Sequence, residues 1–186
     1  MPSARDTLIA ELREHALIIG RVTLTSGLEA EYYVDAKRAI LRPAGFRALA
    51  ELVAERAREW GATAVGGLTM GADAPACAAL AGGADVKAFF VRKEGKAHGL
   101  QRRVEGPLLG DGDRCLVVED VVTTGGSTIA AIEALREEGR TVCGVVTVLD
   151  RLAGGAERIR EAAGGAPYAA LATIDDVYPE RPDRRP

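Results

Sequence analysis

Residues 115–128 read CLVVEDVVTTGGST, an apolar run that meets two adjacent carboxylates and then a stretch of threonine, glycine and serine. The run 115–118 is short, β-prone and free of polar residues, which is typical of a central parallel strand buried on both faces. The stretch 123–128 offers small residues, backbone amides and hydroxyl donors, which suit a phosphate at a helix N-terminus. Because open α/β sheets bind ligands at the carboxyl ends of their strands, the sequence predicts a phosphate site beside two carboxylates.

The carboxylate pair Glu119–Asp120 limits the class of ligand that the site could bind. Carboxylates repel a bare phosphate but accept hydrogen bonds from vicinal hydroxyls, so the pair favours a phosphorylated sugar. The loop lacks the lysine of a Walker A motif, and residues 123–126 do not match the GxGxxG fingerprint, which argues against both common nucleotide loops. An ordinary glycine-rich turn before a capped helix would explain the glycines and Ser127, but not the acidic pair.

This order of strand, acidic pair and Thr/Gly/Ser loop resembles the phosphoribosyl pyrophosphate (PRPP) signature of the type I phosphoribosyltransferase family. In that family the acidic pair addresses the ribose hydroxyls and the loop wraps the 5-phosphate. The resemblance implies that one continuous stretch binds PRPP, and it consists of Glu119, Asp120, Val121, Val122, Thr123, Thr124, Gly125, Gly126 and Ser127.

Length and composition bound the class of protein. A chain of 186 residues that is 47% hydrophobic fits one domain, residues 1–186. The net charge of -3 argues against a general nucleic-acid binder. The sequence has no apolar stretch near the roughly 20 residues of a membrane span and no signal-peptide core at its start, which predicts a cytoplasmic protein with no membrane partner. Cys77, Cys115 and Cys143 lie among apolar or small residues and are predicted to be buried thiols.

Strands and helices alternate along most of the chain. The pattern predicts strands at 62–65, 86–91, 114–118, 142–149 and 169–174, and helices from Pro43 to Gly61 and over about 72–81, 127–138 and 157–163. This alternation predicts an α/β fold, a doubly wound and mainly parallel sheet flanked by helices. A first helix and a hairpin with Ser26–Gly27 at its turn are predicted to form a small N-terminal hood over about residues 1–40, and residues 179–186 to form a flexible, solvated tail.

Residues 66–73, GGLTMGAD, place three glycines after the predicted strand 62–65. Glycines let a backbone approach an oxyanion closely, which predicts a second phosphate site, although a tight turn between strand and helix is the alternative. The segment resembles the pyrophosphate loop of the family. The resemblance implies that Thr69 and Gly71 bind PRPP and that a non-proline cis peptide bond lies near residues 68–69.

Residues 92–99, RKEGKAHG, bring three cations and an imidazole together. Cations that close over a departing pyrophosphate stabilise its developing charge, which predicts a mobile cationic flap; a merely solvated or nucleic-acid-binding loop is the alternative. The spacing resembles the catalytic loop of the orotate phosphoribosyltransferases, which reaches into the active site of the dimer partner. PRPP contacts are thus implied for Arg92, Lys93, Lys96 and His98, and Lys96 and His98 are both candidates to assist the leaving group.

Asp150–Arg151 ends the predicted strand 142–149, where a guanidinium can hold a carboxylate bidentately, although an exposed arginine after a strand is the alternative. In the family this arginine binds the carboxylate of orotate. The resemblance implies further base contacts from Thr123 and, in the hood, from Thr25 and Tyr33.

The chain departs from the family pattern at Thr25, because several relatives carry lysine immediately before the Ser–Gly pair. One cation on the base side is therefore missing. Lys37 or Arg38 could replace it, and spacing does not decide whether either side chain points inward.

The whole resemblance implies an orotate phosphoribosyltransferase, which transfers the ribose 5-phosphate group of PRPP to N1 of orotate in pyrimidine (UMP) biosynthesis. It implies Mg2+ as the cofactor, Asp120 as a catalytic residue and metal contact, and a homodimer with shared active sites. Two alternatives stay open: a type I phosphoribosyltransferase acting on another base, and a PRPP-binding regulatory protein.

Overall fold

The N-terminal hood is a helix followed by a hairpin. The computed structural model describes residues 2–23, 29–93 and 103–184. Helix α1 (Ala4–Glu11) begins with a capping box and continues into a π-helical turn, Leu12–Ala16. Strands β1 (Leu17–Thr23) and β2 (Glu29–Val34) then pair antiparallel, so the predicted hairpin is present with a longer first strand. Its predicted turn lies outside the described residues.

The rest of the chain builds the α/β core. In chain order its elements are α2 (Lys37–Ile40), α3 (Pro43–Glu59), β3 (Ala64–Leu68), α4 (Asp73–Ala81), β4 (Lys87–Val91), β5 (Val104–Glu105), β6 (Arg114–Val122), α5 (Gly126–Glu137), β7 (Thr141–Asp150), α6 (Gly155–Ala162), β8 (Tyr168–Thr173) and α7 (Ile174–Val177). Six strands form one sheet in the order β5-β4-β3-β6-β7-β8, in which the short edge strand β5 is antiparallel to β4 and the other pairs are parallel. The predicted mainly parallel sheet is confirmed.

Helices cover both faces of this sheet. On one face α1, α3 and α4 pack with the hood against side chains such as Val65 and Val146. On the other face α5 and α6 pack against the preceding residues of the same strands, Ala64 and Val145, whose side chains point the opposite way. This alternation along each strand explains why the predicted strands had few polar residues. Among the described residues, no helix is long and apolar enough to cross a membrane.

The order of the strands creates a crevice. The chain leaves β3 toward β4 on one side, and later returns to β6 on the other side of β3. Such a change of direction opens a ligand crevice at the carboxyl ends of the two strands. β6 pairs with β3 only as far as Val117, but it pairs with β7 as far as Val122. The strand predicted to end at residue 118 therefore continues, and its last residues line the crevice.

The glycines after residue 65 have a different role from the predicted one. The strand predicted at 62–65 is β3, so Gly66 and Gly67 lie within the strand and not in the loop. A Cβ at Gly66 would lie 2.1 Å from the carbonyl oxygen of Phe89, and one at Gly67 would lie 2.2 Å from that of Val118. These glycines therefore permit tight packing inside the sheet, and only the short turn after Leu68 is left to bind a ligand.

One further prediction is corrected. Cys115 and Cys143 are buried, but Cys77 is exposed, because it lies on the outward face of α4 while Ala76 and Ala79 face the core. Asp183, near the end of the described chain, accepts a hydrogen bond from the Tyr32 hydroxyl of the hood, and the flexible tail predicted for residues 179–186 stays a prediction.

Candidate active site

The acidic pair lies at the bottom of the crevice. Glu119 is 4% exposed and Asp120 is 7% exposed. The Asp120 carboxylate accepts a hydrogen bond from the amide of Val121 at 2.7 Å, while the amide of Asp120 donates to Glu119 Oε1 at 3.2 Å. Glu119 Oε2 is buried without a hydrogen-bond partner in the described part of the chain. The pair therefore holds acceptor capacity for a ligand.

Burial sets the protonation of this pair. It raises the pKa of the Glu119 carboxyl well above its usual range, and the negative charge of Asp120 raises it further. Two adjacent carboxylates in a buried crevice do not both ionise readily. Glu119 therefore holds its proton to a higher pH than an ordinary carboxyl does.

We expect Glu119→Gln to make stability less dependent on pH. A raised folded-state pKa contributes stability that is present below the ordinary carboxyl value and is lost as the pH rises through the raised one. The uncharged amide does not titrate, so the variant should gain Tm relative to the original chain at about pH 9 by roughly 5 °C, and gain little at about pH 5. Thermal unfolding at both pH values measures this, with the exposed Glu51→Gln as the control. An equal Tm difference at both pH values would contradict it.

A lysine from α2 reaches the acidic pair. Lys37 Nζ lies 2.5 Å from Asp120 Oδ2 and 3.7 Å from Asp35 Oδ1. Although burial alone would lower the pKa of Lys37, its hydrogen bond to Asp120 and the nearby carboxylates raise it, so the ammonium stays charged. Arg38 is exposed instead. Of the two candidate cations in the hood segment, Lys37 is the one that points into the crevice.

The predicted phosphate loop forms a small cavity beside the acidic pair. This cavity has a volume of about 250 Å³ and is lined by Glu119, Val121 and residues 123–128. Gly125 is the N-cap of α5 with φ of +82°, so no side chain satisfies the first amides of the helix at that position. Thr128 Oγ1 is buried and has no hydrogen-bond partner among the described residues. The structure thus brings the residues of the predicted phosphate loop together around one small cavity.

Arg158 was not predicted to belong to this site. It projects from α6, and its Nη1 donates a hydrogen bond to the carbonyl oxygen of Thr124 at 2.9 Å. This contact fixes the loop from outside. No sequence signal near Arg158 indicated it, because α6 meets the loop only in the folded structure.

The turn after β3 contacts the acidic pair from the other side. A Cβ at Gly71 would lie 2.2 Å from Glu119 Oε1 and 2.7 Å from Asp120 Oδ1. The Thr69 hydroxyl donates to Asp73 Oδ2 at 2.9 Å, and the cis peptide bond lies between Thr69 and Met70, one position beyond the predicted one. The two predicted phosphate loops therefore meet at the carboxylates.

Arg151 lies on the opposite side of the phosphate loop. Its amide donates to the carbonyl oxygen of Val122 at 2.9 Å, which places it beside Thr123. Asp150 is 3% exposed and accepts hydrogen bonds at 2.7 Å from the Tyr168 hydroxyl and from the amide of Leu152. These two bonds fix the backbone around Arg151. Neither Asp150 nor Tyr168 was predicted as a site residue.

The hood presents a different tyrosine to Arg151 from the predicted one. The Arg151 guanidinium lies 5.1 Å from the ring centroid of Tyr32, which is buried. Tyr33 is 38% exposed, since successive side chains of a strand point to opposite faces. The orotate contact predicted for Tyr33 stays a prediction.

The structure describes the two ends of the predicted flap. Arg92 donates its amide to the carbonyl oxygen of Arg103 at 2.9 Å, and its Nη1 lies 3.8 Å from Glu105 Oε1. Lys93 is exposed. The predicted contacts of Lys96, His98 and Thr25 fall outside the described residues.

Comparisons with known proteins agree with this geometry. A family model described as the phosphoribosyl transferase domain matches residues 37–163. The orotate phosphoribosyltransferase of Corynebacterium glutamicum is 49% identical over 175 residues, which cover 94% of this chain and 94% of that protein. The same enzyme of Streptomyces avermitilis is 49% identical over 181 residues, which cover 95% of this chain and 98% of that one.

Solved structures give the same result for the fold. The orotate phosphoribosyltransferase of Mycobacterium tuberculosis superposes with a TM-score of 0.84 at 43% identity, covering 94% of this chain and 99% of that one. A structure of that enzyme in complex with PRPP gives a TM-score of 0.79 at 38% identity, covering 94% and 98%. The predicted type I fold is confirmed. This chain belongs to the phosphoribosyltransferase family and, within it, to the orotate phosphoribosyltransferases.

Proposed function

We propose that the chain transfers the ribose 5-phosphate group of PRPP to N1 of orotate, giving orotidine 5-phosphate and pyrophosphate in pyrimidine (UMP) biosynthesis. One observation carries this proposal: the acidic pair lies between two glycine-containing turns, with Gly71 packed against its carboxylates on one side and residues 123–128 on the other. This arrangement suits a sugar that carries a phosphate at one end and a pyrophosphate at the other.

The phosphate loop holds the 5-phosphate in this proposal. The amides of residues 126–128 and the hydroxyls of the loop donate to its oxygens, and the helix dipole of α5 adds to their field. Thr69 and Gly71 bind the pyrophosphate. Glu119 and Asp120, between them, accept hydrogen bonds from the ribose hydroxyls.

The donor set of the crevice fits Mg2+ bound mainly through its substrate. No group of three or more metal-binding side chains occurs among the described residues. Mg2+ is commonly held by one or two carboxylates together with phosphate oxygens and water. Asp120 offers such a carboxylate, and beside it lies Glu119 Oε2, which is buried and has no hydrogen-bond partner among the described residues. The ion, when bound, supplies positive charge that neutralises the pyrophosphate oxygens. We propose Asp120 as its protein contact.

The side chains divide the charge of the transition state. As the bond from C1 to pyrophosphate breaks, positive charge develops on the ribose and negative charge on the leaving group. The Asp120 carboxylate stabilises the first, and the flap residues Arg92, Lys93, Lys96 and His98 stabilise the second. N1 of orotate then attacks C1 on the opposite face and gives up its proton to solvent, with Lys96 or His98 assisting the departure of pyrophosphate.

The base binds between Arg151 and the hood. The guanidinium of Arg151 holds the carboxylate of orotate, and Thr123, Thr25 and Tyr33 complete the contacts.

Assays with PRPP, Mg2+ and either orotate, uracil or a purine base test this assignment. We expect pyrophosphate release in the assay with orotate, and none in the assays with uracil or a purine base. Turnover of a base without a carboxylate, and none of orotate, would support the first alternative. Tight nucleic-acid binding without pyrophosphate release would support a regulatory protein.

We further propose a cytoplasmic homodimer in which the flap of one subunit serves the site of its partner. Exposed apolar side chains beside the pyrophosphate loop support a subunit contact there: Met70 is 74% exposed and Leu80 on α4 is 47% exposed. Mixing the inactive variants Lys96→Ala and Asp120→Asn tests this proposal. A mixed dimer that shares sites regains one intact site, so activity should return on mixing. No recovery in a mixture shown to exchange subunits would exclude shared sites.

A further inference from the structure

The C-terminal segment, residues 178–184, is braced by its own ion pairs. The Arg181 side chain is only 8% exposed, and it lies between the carboxylates of Asp175 and Asp183, with Nε 3.2 Å from Asp183 Oδ1. Arg184 donates to the carbonyl oxygen of Pro179 at 3.0 Å. Arg181 shares its positive charge between Asp175 and Asp183. The segment therefore lies against the protein as a defined structure.

Tyr32 of the hood connects this segment to the fold. Its side chain is 3% exposed, and its ring meets the ring of Tyr178 edge-on at a centroid distance of 5.4 Å. Its hydroxyl donates to Asp183 Oδ2 at 3.0 Å. Burial raises the pKa of the Tyr32 phenol, so the hydroxyl keeps the proton that it donates. Asp183 is thus the acceptor that a buried phenol requires.

Arg151 contacts the Tyr32 ring as well. Its guanidinium lies 5.1 Å from the centroid of the Tyr32 ring, and its Nε is buried without a hydrogen-bond partner among the described residues. A ring fixed by two contacts gives the guanidinium one preferred place, since cation–π attraction depends on geometry. The contacts therefore run from Asp183 through Tyr32 to Arg151.

The C-terminal segment also closes one side of the space in front of Arg151. A cleft of about 740 Å³ is lined by Arg151 and the residues after it, and on its other side by Asp175, Arg181, Asp183 and Arg184. The cleft is large enough for a single nucleobase. Its walls come from the loop after β7 and from the far C-terminal end of the described chain.

We propose that the C-terminal segment is the outer wall of the base site and that Asp183 is a positioning residue. Through Tyr32, Asp183 fixes the guanidinium of Arg151 for the carboxylate of the base. The inference rests on the proposed function, because the contact of Arg151 with orotate belongs to that proposal. It assigns to Asp183 an effect on the anionic base and none on PRPP.

Kinetics of Asp183→Ala, which removes the acceptor of the Tyr32 hydroxyl, test this role. We expect KM for orotate to rise about tenfold, with KM for PRPP and kcat within about twofold of the original values. Asp183→Glu, which keeps the acceptor and the charge, should recover part of the loss. Asp85→Ala, at an exposed carboxylate on the surface, is the matched control. A merely structural role would instead change all three constants together.

A double variant checks the proposed connection. If Asp183 acts through the phenol, Asp183→Ala should add no further rise in the KM for orotate once Tyr32→Phe has removed the hydroxyl. Independent, additive effects would overturn the inference, as would an unchanged KM in Asp183→Ala. Failure of the original chain to turn over orotate would instead overturn the proposed function, so the two failures are distinguishable.

Discussion

Asp120→Asn is expected to lower kcat by about 100-fold or more, because it removes the charge that faces the developing positive charge of the ribose. The substitution keeps the shape of the side chain, and the amide oxygen can still accept from the amide of Val121. The effect should therefore fall on the transition state. KM for PRPP should change much less than kcat, and the Mg2+ concentration needed for half-maximal activity should rise.

Steady-state pyrophosphate release measures both constants, and thermal unfolding shows whether the variant is folded. Asp85→Asn removes an exposed carboxylate away from the crevice and should leave kcat unchanged. A folded Asp120→Asn protein with a kcat within about threefold of the original would contradict the proposed role, since a charge in direct contact with the reacting ribose contributes more than that.

The second large effect is expected at Arg151. Arg151→Ala should raise KM for orotate by about 50-fold or more, because a bidentate charged pair is lost and the base keeps an unpaired carboxylate. KM for PRPP should stay within about twofold, since the backbone contact of Arg151 to Val122 is unaffected. Initial rates with each substrate varied in turn separate the two constants.

Two further variants sharpen this test. Arg151→Lys keeps the charge but loses the bidentate geometry. Its KM for orotate should therefore lie between the KM of the original chain and that of Arg151→Ala. Arg47→Ala removes an exposed arginine of α3 and should change neither constant. Equal rises of both KM values in Arg151→Ala would show that Arg151 supports the whole site and does not select the base.

The sequence predicted the core of the fold because its local signals agree with the tertiary structure. The run 115–118 is buried in the sheet, and residues 126–137 form the helix that the following glycines and hydroxyls indicated. The family resemblance added the roles of the loops. Arg151 could be placed at the carboxyl edge of the sheet because it directly follows a clear strand.

The errors arose where neighbouring strands decide the local structure. Glu119 and Asp120 look like loop residues, yet they extend β6 because β7 offers hydrogen bonds as far as Val122. Gly66 and Gly67 look like a phosphate loop, yet close packing against Phe89 and Val118 places them in the strand. The local sequence does not show which strand or side chain will lie next to these residues in the fold.

Contacts between distant parts of the chain were equally hidden. Lys37 reaches Asp120 across 83 positions, and Tyr32 reaches Asp183 across 151. Such pairings depend on how whole helices and strands pack together, and no periodic pattern in the sequence predicts them.

The ion pair between Lys37 and Asp120 has a consequence for the encounter with substrate. With Glu119 protonated, Lys37 lies near both Asp120 and Asp35 and offsets one of these two carboxylate charges at neutral pH. A polyanion such as PRPP therefore meets less negative charge at the floor of the crevice than three ionised carboxylates would present, and the repulsion that would slow its association is weaker.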